Sequence, residues 1–271
     1  MRKGVIMTCD LHIHSRYSFD GTASLEEICK SAREHGVDIL ALTDHCDMLD
    51  GPEGISAYLA CEQELKEAYD KLDKTGVQIL YGVEIGNPHE FPLKTEAFLA
   101  ERKFDFIIGS VHFLPDGSDI YKLPYRTSEE IDDMFRQHFL SMQKLVAYGG
   151  FDTLAHMDYP IRKLQGKLPN TSMLAYRDLM EPVLELLVQK NIALEINTRG
   201  TYDWQNRVGP EDWVLECYRE LGGKYITIGS DAHVTKYVGT GFAEAAAALK
   251  RTGFDCYTIY KDRCPVQIPL E

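Results

Sequence analysis

Asp10-Leu11-His12-Ile13-His14-Ser15-Arg16-Tyr17-Ser18-Phe19-Asp20 is the stretch whose reading decides the fold. It follows an apolar run, Val5-Ile6-Met7, that reads as a first buried strand. If the strand continues, its period of two turns Leu11 and Ile13 into packing and sends His12 and His14 together to the other side. Two neutral imidazoles aimed at one point can share a divalent ion, whereas protonated imidazoles repel one another. The competing reading is a pair of surface histidines that happen to alternate, and only the rest of the chain separates the two.

Outward from that stretch, short apolar runs alternate with amphipathic helical segments along the whole chain. Capping-box patterns at Ser24-Leu25-Glu26-Glu27 and Thr127-Ser128-Glu129-Glu130 open two helices, which stop near Gly36 and at Gly149-Gly150. Other helices are expected from Ser56 to Lys74, Lys94 to Arg102, beyond Asn170 to Lys190, Pro210 to Gly222 and Phe242 to Arg251. Further strands are expected at Ile39 to Leu42, Gln78 to Val83, Phe104 to Val111, Phe151 to Ala155, Ile192 to Ile196 and Tyr225 to Ile228. Phe254 to Tyr260 reads as a short extra strand before the tail, and Phe113 to Tyr125 and Asp158 to Asn170 read as long loops. The rhythm gives seven β/α units in one α/β domain covering residues 1–271. A (β/α)7 parallel barrel is the natural closure, and a doubly wound open sheet fits the same pattern.

Composition narrows the function. A formal charge of −13 opposes a long nucleic-acid partner, since a phosphate backbone is met with clustered Lys and Arg. Seven cysteines without any C-x-x-C pair read as reduced thiols of a cytoplasmic protein. Neither a signal peptide nor a stretch of membrane-spanning length is apparent, so no membrane partner is expected.

The decisive pattern is where the metal-type residues fall. Six of nine histidines, His12, His14, His45, His112, His156 and His233, lie at the expected carboxyl ends of strands, joined there by Glu84 and Asp231. That rim is where barrel loops converge on a site, so residues far apart in sequence meet there. His35, His89 and His138 lie elsewhere and serve as controls, while Asp44 and Asp47 read as acids supporting His45 rather than as ligands. Imidazoles with a few carboxylates suit Zn, Mn or Fe, and so many ligands imply two or three divalent ions. Adjacent ions can activate a water and neutralise an attacked phosphoryl group, which makes phosphate-ester hydrolysis the natural chemistry. Arg199, just past the sixth strand, and Arg162, in the loop after His156, are candidate phosphate forks, each also readable as a surface charge. Phe113, Tyr121, Tyr159 and Asp158 are candidates for the organic half of a small phosphate-ester substrate.

Asp10-Leu11-His12-Ile13-His14, Asp20-Gly21, Leu42-Thr43-Asp44-His45, Gly82-Val83-Glu84, Gly109-Ser110-Val111-His112, Leu154-Ala155-His156 and Gly229-Ser230-Asp231-Ala232-His233 form an ordered set. Together they resemble the polymerase-and-histidinol-phosphatase (PHP) family. Ala155-His156-Met157-Asp158 and Glu195-Ile196-Asn197-Thr198-Arg199-Gly200 look most like its stand-alone histidinol-phosphate phosphatases. The resemblance implies a distorted seven-stranded barrel with a trinuclear site. It implies one metal on His12, His14, Glu84 and Asp231, a second on Glu84, His112 and His156, and a third on Asp20, His45 and His233. It also implies phosphate contacts from Arg162 and Arg199, and hydrolysis of L-histidinol phosphate in histidine biosynthesis. The leaving alkoxide would take its proton from Asp231, His233 or a water on the metals. Two rivals stand beside this reading. One keeps the metals but takes another small phosphomonoester or a nucleotide or oligonucleotide end. The other is a metal-binding interaction protein without catalysis.

Overall fold

The computed structural model describes residues 7–124, 127–164, 172–204 and 206–270, and for residues 162 and 163 only the backbone. Val5 and Ile6 of the expected first strand lie outside the described residues. The strand β1 is Cys9–Ile13, buried along its whole length, whereas Met7 is exposed. Among the described residues the strand begins at Cys9 and carries the start of the histidine stretch, through Ile13.

After β1 come α1 (Leu25–Glu34), β2 (Ile39–Leu42), β3 (His45–Asp47), α2 (Ile55–Lys71), β4 (Gln78–Gly86) and α3 (Pro92–Ala100). Then follow β5 (Phe106–Ser110), α4 (Ser128–Tyr148), β6 (Thr153–Leu154), α5 (Arg177–Lys190), β7 (Ala193–Asn197), α6 (Asp212–Glu220), β8 (Ile226–Gly229) and α7 (Phe242–Arg251). The chain ends in β9 (Cys256–Lys261) and β10 (Cys264–Pro269). Local chemistry sets several of these bounds. In α1, Ser24 Oγ accepts from Glu27 N at 3.2 Å while Ser24 N donates to Glu27 Oε2 at 2.8 Å, and Thr127 with Glu130 repeats the box at α4. Asn191, in the left-handed region, stops α5.

The strands run in parallel in the order β1-β2-β4-β5-β6-β7-β8. Their near-continuous apolar runs suit a sheet buried on both faces. Closure comes at the β8–β1 seam, where Asp231 N donates to His12 O at 2.8 Å and His14 N to Ala232 O at 2.9 Å. The buried Asp10 carboxylate fastens the seam by accepting from Ser230 N at 2.8 Å and Gly239 N at 2.7 Å. The result is a nearly closed seven-stranded (β/α) barrel, not an open doubly wound sheet.

Three features depart from the sequence reading. The segment after Thr43-Asp44 forms a short strand of its own, β3, paired in parallel with the carboxyl half of β4, so Glu84 lies inside β4 opposite His45. Pro210 does not open a helix; it follows a cis peptide after Gly209, and α6 starts at Asp212. The tail, to which the sequence reading assigned no element, forms β10, which pairs antiparallel with β9, and β9 packs beside β8. The cysteines are all free thiols. No helix among the described residues is long and apolar enough to cross a membrane.

Candidate metal centre

The carboxyl ends of the strands deliver five of the six rim histidines to one carboxylate, and the sixth, His233, to the neighbouring Asp20 and Asp231. Glu84, fully buried in β4, has His12 Nε2 at 3.4 Å, His14 Nε2 at 3.6 Å and His45 Nδ1 at 2.9 Å from Oε2. His112 Nε2 and His156 Nε2 lie 3.3 and 3.0 Å from its Oε1. Asp231 Oδ1, two residues past β8, is 3.5 Å from His14 Nε2. At the outer edge, Asp20 lies 3.0 Å from His233 Nε2 and 3.6 Å from His45 Nε2. All nine residues expected as ligands thus adjoin one another.

The outer nitrogens say how the rings are held. His12 Nδ1–H donates to Glu195 Oε1 at 2.7 Å, His112 Nδ1–H to Asp47 Oδ1 at 2.7 Å and His14 Nδ1–H to Ser18 Oγ at 3.1 Å. Ser18 in turn donates to Asp44 Oδ1 at 2.7 Å, and His233 Nδ1–H to Asp231 O at 2.9 Å. Acceptors on one side fix tautomers whose Nε2 lone pairs point at the centre. Lone pairs facing a buried carboxylate are mutually unfavourable unless a cation lies among them. Among the described residues, His12 Nε2, His14 Nε2, His45 Nδ1 and Glu84 Oε2 are buried without a hydrogen-bond partner. The donor set therefore fits divalent ions. Among the described residues, three groups bring candidate ligand atoms within 4.8 Å of one another: His12, His14 and Glu84; His14, His45 and His233; and His45, Glu84 and His112.

Electrostatics match the geometry. Burial opposes charge on Glu84, yet His12, His112 and His45 hold it well below the usual carboxylate range. Burial, then His233 and His45, push His14 well below the ordinary imidazole value. Against the cost of burial, Arg199 and His14 keep Asp231 low as well. Asp231 adopts φ of 53°, a left-handed conformation that few side chains tolerate. Its carbonyl is held there by Arg199 Nη1 and Tyr202 Oη, each at 3.3 Å.

Arg199 reaches the rim, with Nη1 3.2 Å from Asp231 Oδ1 and Nε 3.2 Å from Asp203 Oδ2. Arg162 falls in the short helical turn Tyr159–Lys163, and its side chain lies outside the described residues. Phe113, Tyr121 and Tyr159 line the cavity above the centre, whereas Asp158 is buried elsewhere, beside Gly209. The control histidines stay apart: His35 Nδ1–H bonds to Val238 O, His89 to Ser141 and His138 to Met157 O.

Sequence reasoning assigned no role to Glu195, which orients His12 and also accepts from His156 N at 2.8 Å. Its signal was an acid inside the otherwise apolar strand Ala193-Leu194-Glu195-Ile196, a position where charge needs a partner. Gly86 and Gly229 are also required. A Cβ on Gly86 would collide with the Asp47 carboxylate beside His112, and one on Gly229 with His12 and Glu195.

A parallel barrel whose carboxyl rim gathers imidazoles and carboxylates in this way defines a class, the metal-dependent barrel hydrolases. Comparison with known proteins narrows it. The profile of the PHP domain matches residues 10–199. A probable histidinol-phosphatase of Thermotoga maritima is 30% identical over 91% of this chain and 93% of its own. The histidinol-phosphatase of Lactococcus lactis is 27% identical over 90% of this chain and 91% of its own. The crystal structure of histidinol phosphate phosphatase from Lactococcus lactis, complexed with zinc, L-histidinol and phosphate, superposes with a TM-score of 0.79. It is 26% identical and covers 97% of this chain and 100% of that one. The chain belongs to the PHP domain family.

Proposed function

We propose that the protein is a cytoplasmic histidinol-phosphate phosphatase, hydrolysing L-histidinol phosphate to L-histidinol and phosphate in histidine biosynthesis, with residues 1–271 acting as one domain. One observation carries the reading: five imidazoles converge on the buried Glu84 carboxylate beside a cavity into which Arg199 faces. The relative solved with zinc, L-histidinol and phosphate supports the choice of substrate.

Two or three ions of Zn, Mn or Fe suit this donor set. His12, His14, Glu84 and Asp231 would hold one, Glu84, His112 and His156 a second, and Asp20, His45 and His233 a third. Such ions, when bound, act as Lewis acids on the phosphoryl oxygens and make a water more acidic. The chain supplies the rest. Arg199, anchored by Asp231 and Asp203, keeps a permanent cation at the cavity wall where charge develops on the phosphoryl oxygens. Arg162 is the second phosphate contact in this reading. His233, tied through Nδ1 to Asp231 O, and Asp231 itself are the groups placed to pass a proton to the leaving alkoxide. Burial of His12, His14 and Glu84 keeps bulk water from the floor, which strengthens every charge interaction there.

The test is phosphate release by protein of measured metal content from L-histidinol phosphate, nucleoside monophosphates and a short oligonucleotide. Histidinol phosphate should show the highest kcat/KM, and preference for a nucleotide would overturn the substrate. Glu84→Gln should lower both bound metal and turnover by roughly a hundredfold or more, in line with loss of a metal ligand. A variant of full activity refutes the bridging role.

A further inference from the structure

The metal centre occupies only one end of a cavity of about 480 Å³, more space than a phosphate group needs. Rings wall the remainder, among them Phe19, Phe113, Tyr121 and Tyr159. Phe19 stacks on His45 with ring centroids 5.0 Å apart and is still 48% exposed. Three charged side chains from two loops complete the mouth: Glu53, Asp119 and Lys122. Lys122 Nζ lies 2.5 Å from Glu53 Oε2 and 3.1 Å from Asp119 Oδ2. One ammonium against two carboxylates leaves the mouth negative. The floor would make the opposite demand once divalent ions sit among Asp20, Glu84 and Asp231, with Arg199 at its wall and with His156, which is 4% exposed, lines the same cavity and has an Nδ1 without a hydrogen-bond partner among the described residues. The cavity is thus bipolar, with an anion end among the histidines, a cation end at the mouth and aromatic walls between.

We infer that Glu53 and Asp119 are specificity-determining residues that select phosphomonoesters carrying an organic cation, and that Lys122 holds their place until such a substrate arrives. The inference rests on the phosphatase reading above. The Lys122 side chain is 59% exposed, and an exposed ion pair of this kind is weak, so the ammonium can swing into water at little cost. Both carboxylates then face the cation of the substrate, while the rings flank it and exclude water. A neutral alcohol phosphate gains nothing from this exchange. L-histidinol phosphate offers two groups of the required kind, its ammonium and its imidazolium.

The two sides of the exchange have opposite signs under mutation. The kcat/KM for L-histidinol phosphate is divided by that for its N-acetylated form and by that for L-phenylalaninol phosphate, which lacks the imidazole. Glu53→Gln should lower at least one ratio about tenfold through KM, as loss of a charge-assisted contact does. Lys122→Met should raise the same ratio by removing the internal competitor. A change confined to the acetylated pair assigns the mouth to the ammonium, and one confined to the other pair assigns it to the imidazolium. Ratios within twofold of wild type in both variants overturn the inference. If wild-type protein ignores histidinol phosphate, the functional reading fails alone, because O-phosphoethanolamine against ethyl phosphate still poses the question. The same ratios taken as dissociation constants by calorimetry answer it for protein without turnover.

Discussion

Glu84 is acceptable in a barrel core only because of its neighbours. A fully buried carboxylate is costly when isolated, and here imidazoles from β1, from the rim past β5 and β6, and from β3 surround it. Those rings are aimed from behind by Glu195, Asp47 and Ser18. Glu195→Gln preserves shape but removes the charge that raises the basicity of His12. Metal affinity should fall roughly 10–100-fold, as for other acids that orient a metal-ligating histidine. Titration with zinc or manganese against a chelator checks this, and unchanged affinity would leave Glu195 a packing residue. That these side chains would cluster was legible because histidines recurred at one topological position. Glu195 was not, because an acid in a strand announces a partner without naming it, and the partner lies 183 positions away at His12.

At the scale of elements, the seven helices among the described residues were readable and two short strands were not. Phe242–Arg251 has the expected bounds, and α4 begins at its capping box. β3 escaped because three residues offer no period, and its pairing with β4 is a tertiary fact. β10 escaped because its six residues include two prolines and are mostly exposed, the composition of a protected edge. Helix α4 also carries a measurable consequence in His138, buried at its centre. Burial pushes this imidazole down to about 3, and the bond to Met157 O only partly offsets that. In the unfolded chain the same group titrates near ~6.5. Between those values the unfolded state binds a proton that the folded state refuses, so stability falls as pH is lowered through that window. His138→Phe should flatten the acid limb by up to ~1.4 kcal/mol per pH unit. Urea unfolding of chelator-treated protein at successive pH values reads the slope, and an unaltered slope would mean that another group sets it.

For the whole molecule, the centre and the barrel share one seam. His12 comes from β1 and His14 from just past it, Asp231 and His233 from just past β8, and the Asp10 network closes the same join. Ions held there would bind the folded state in preference to the unfolded chain and stabilise it by mass action. A chelator should therefore lower Tm, and added zinc or manganese should raise it with concentration, by ~2.7 kcal/mol at a hundredfold excess over Kd. Calorimetry with and without chelator measures the difference, and a Tm indifferent to metal would detach the histidine cluster from barrel closure.

That seam also sets a time for maturation. A ribosome releases His12 and His14 early and His233 more than two hundred residues later, so the nine candidate ligands are complete only once His233 has been joined. A chain cut short before Asp231 would keep Glu84 with His12, His14, His45, His112 and His156, but it would lack both the outer edge of the cluster and the strand-to-strand join beneath it.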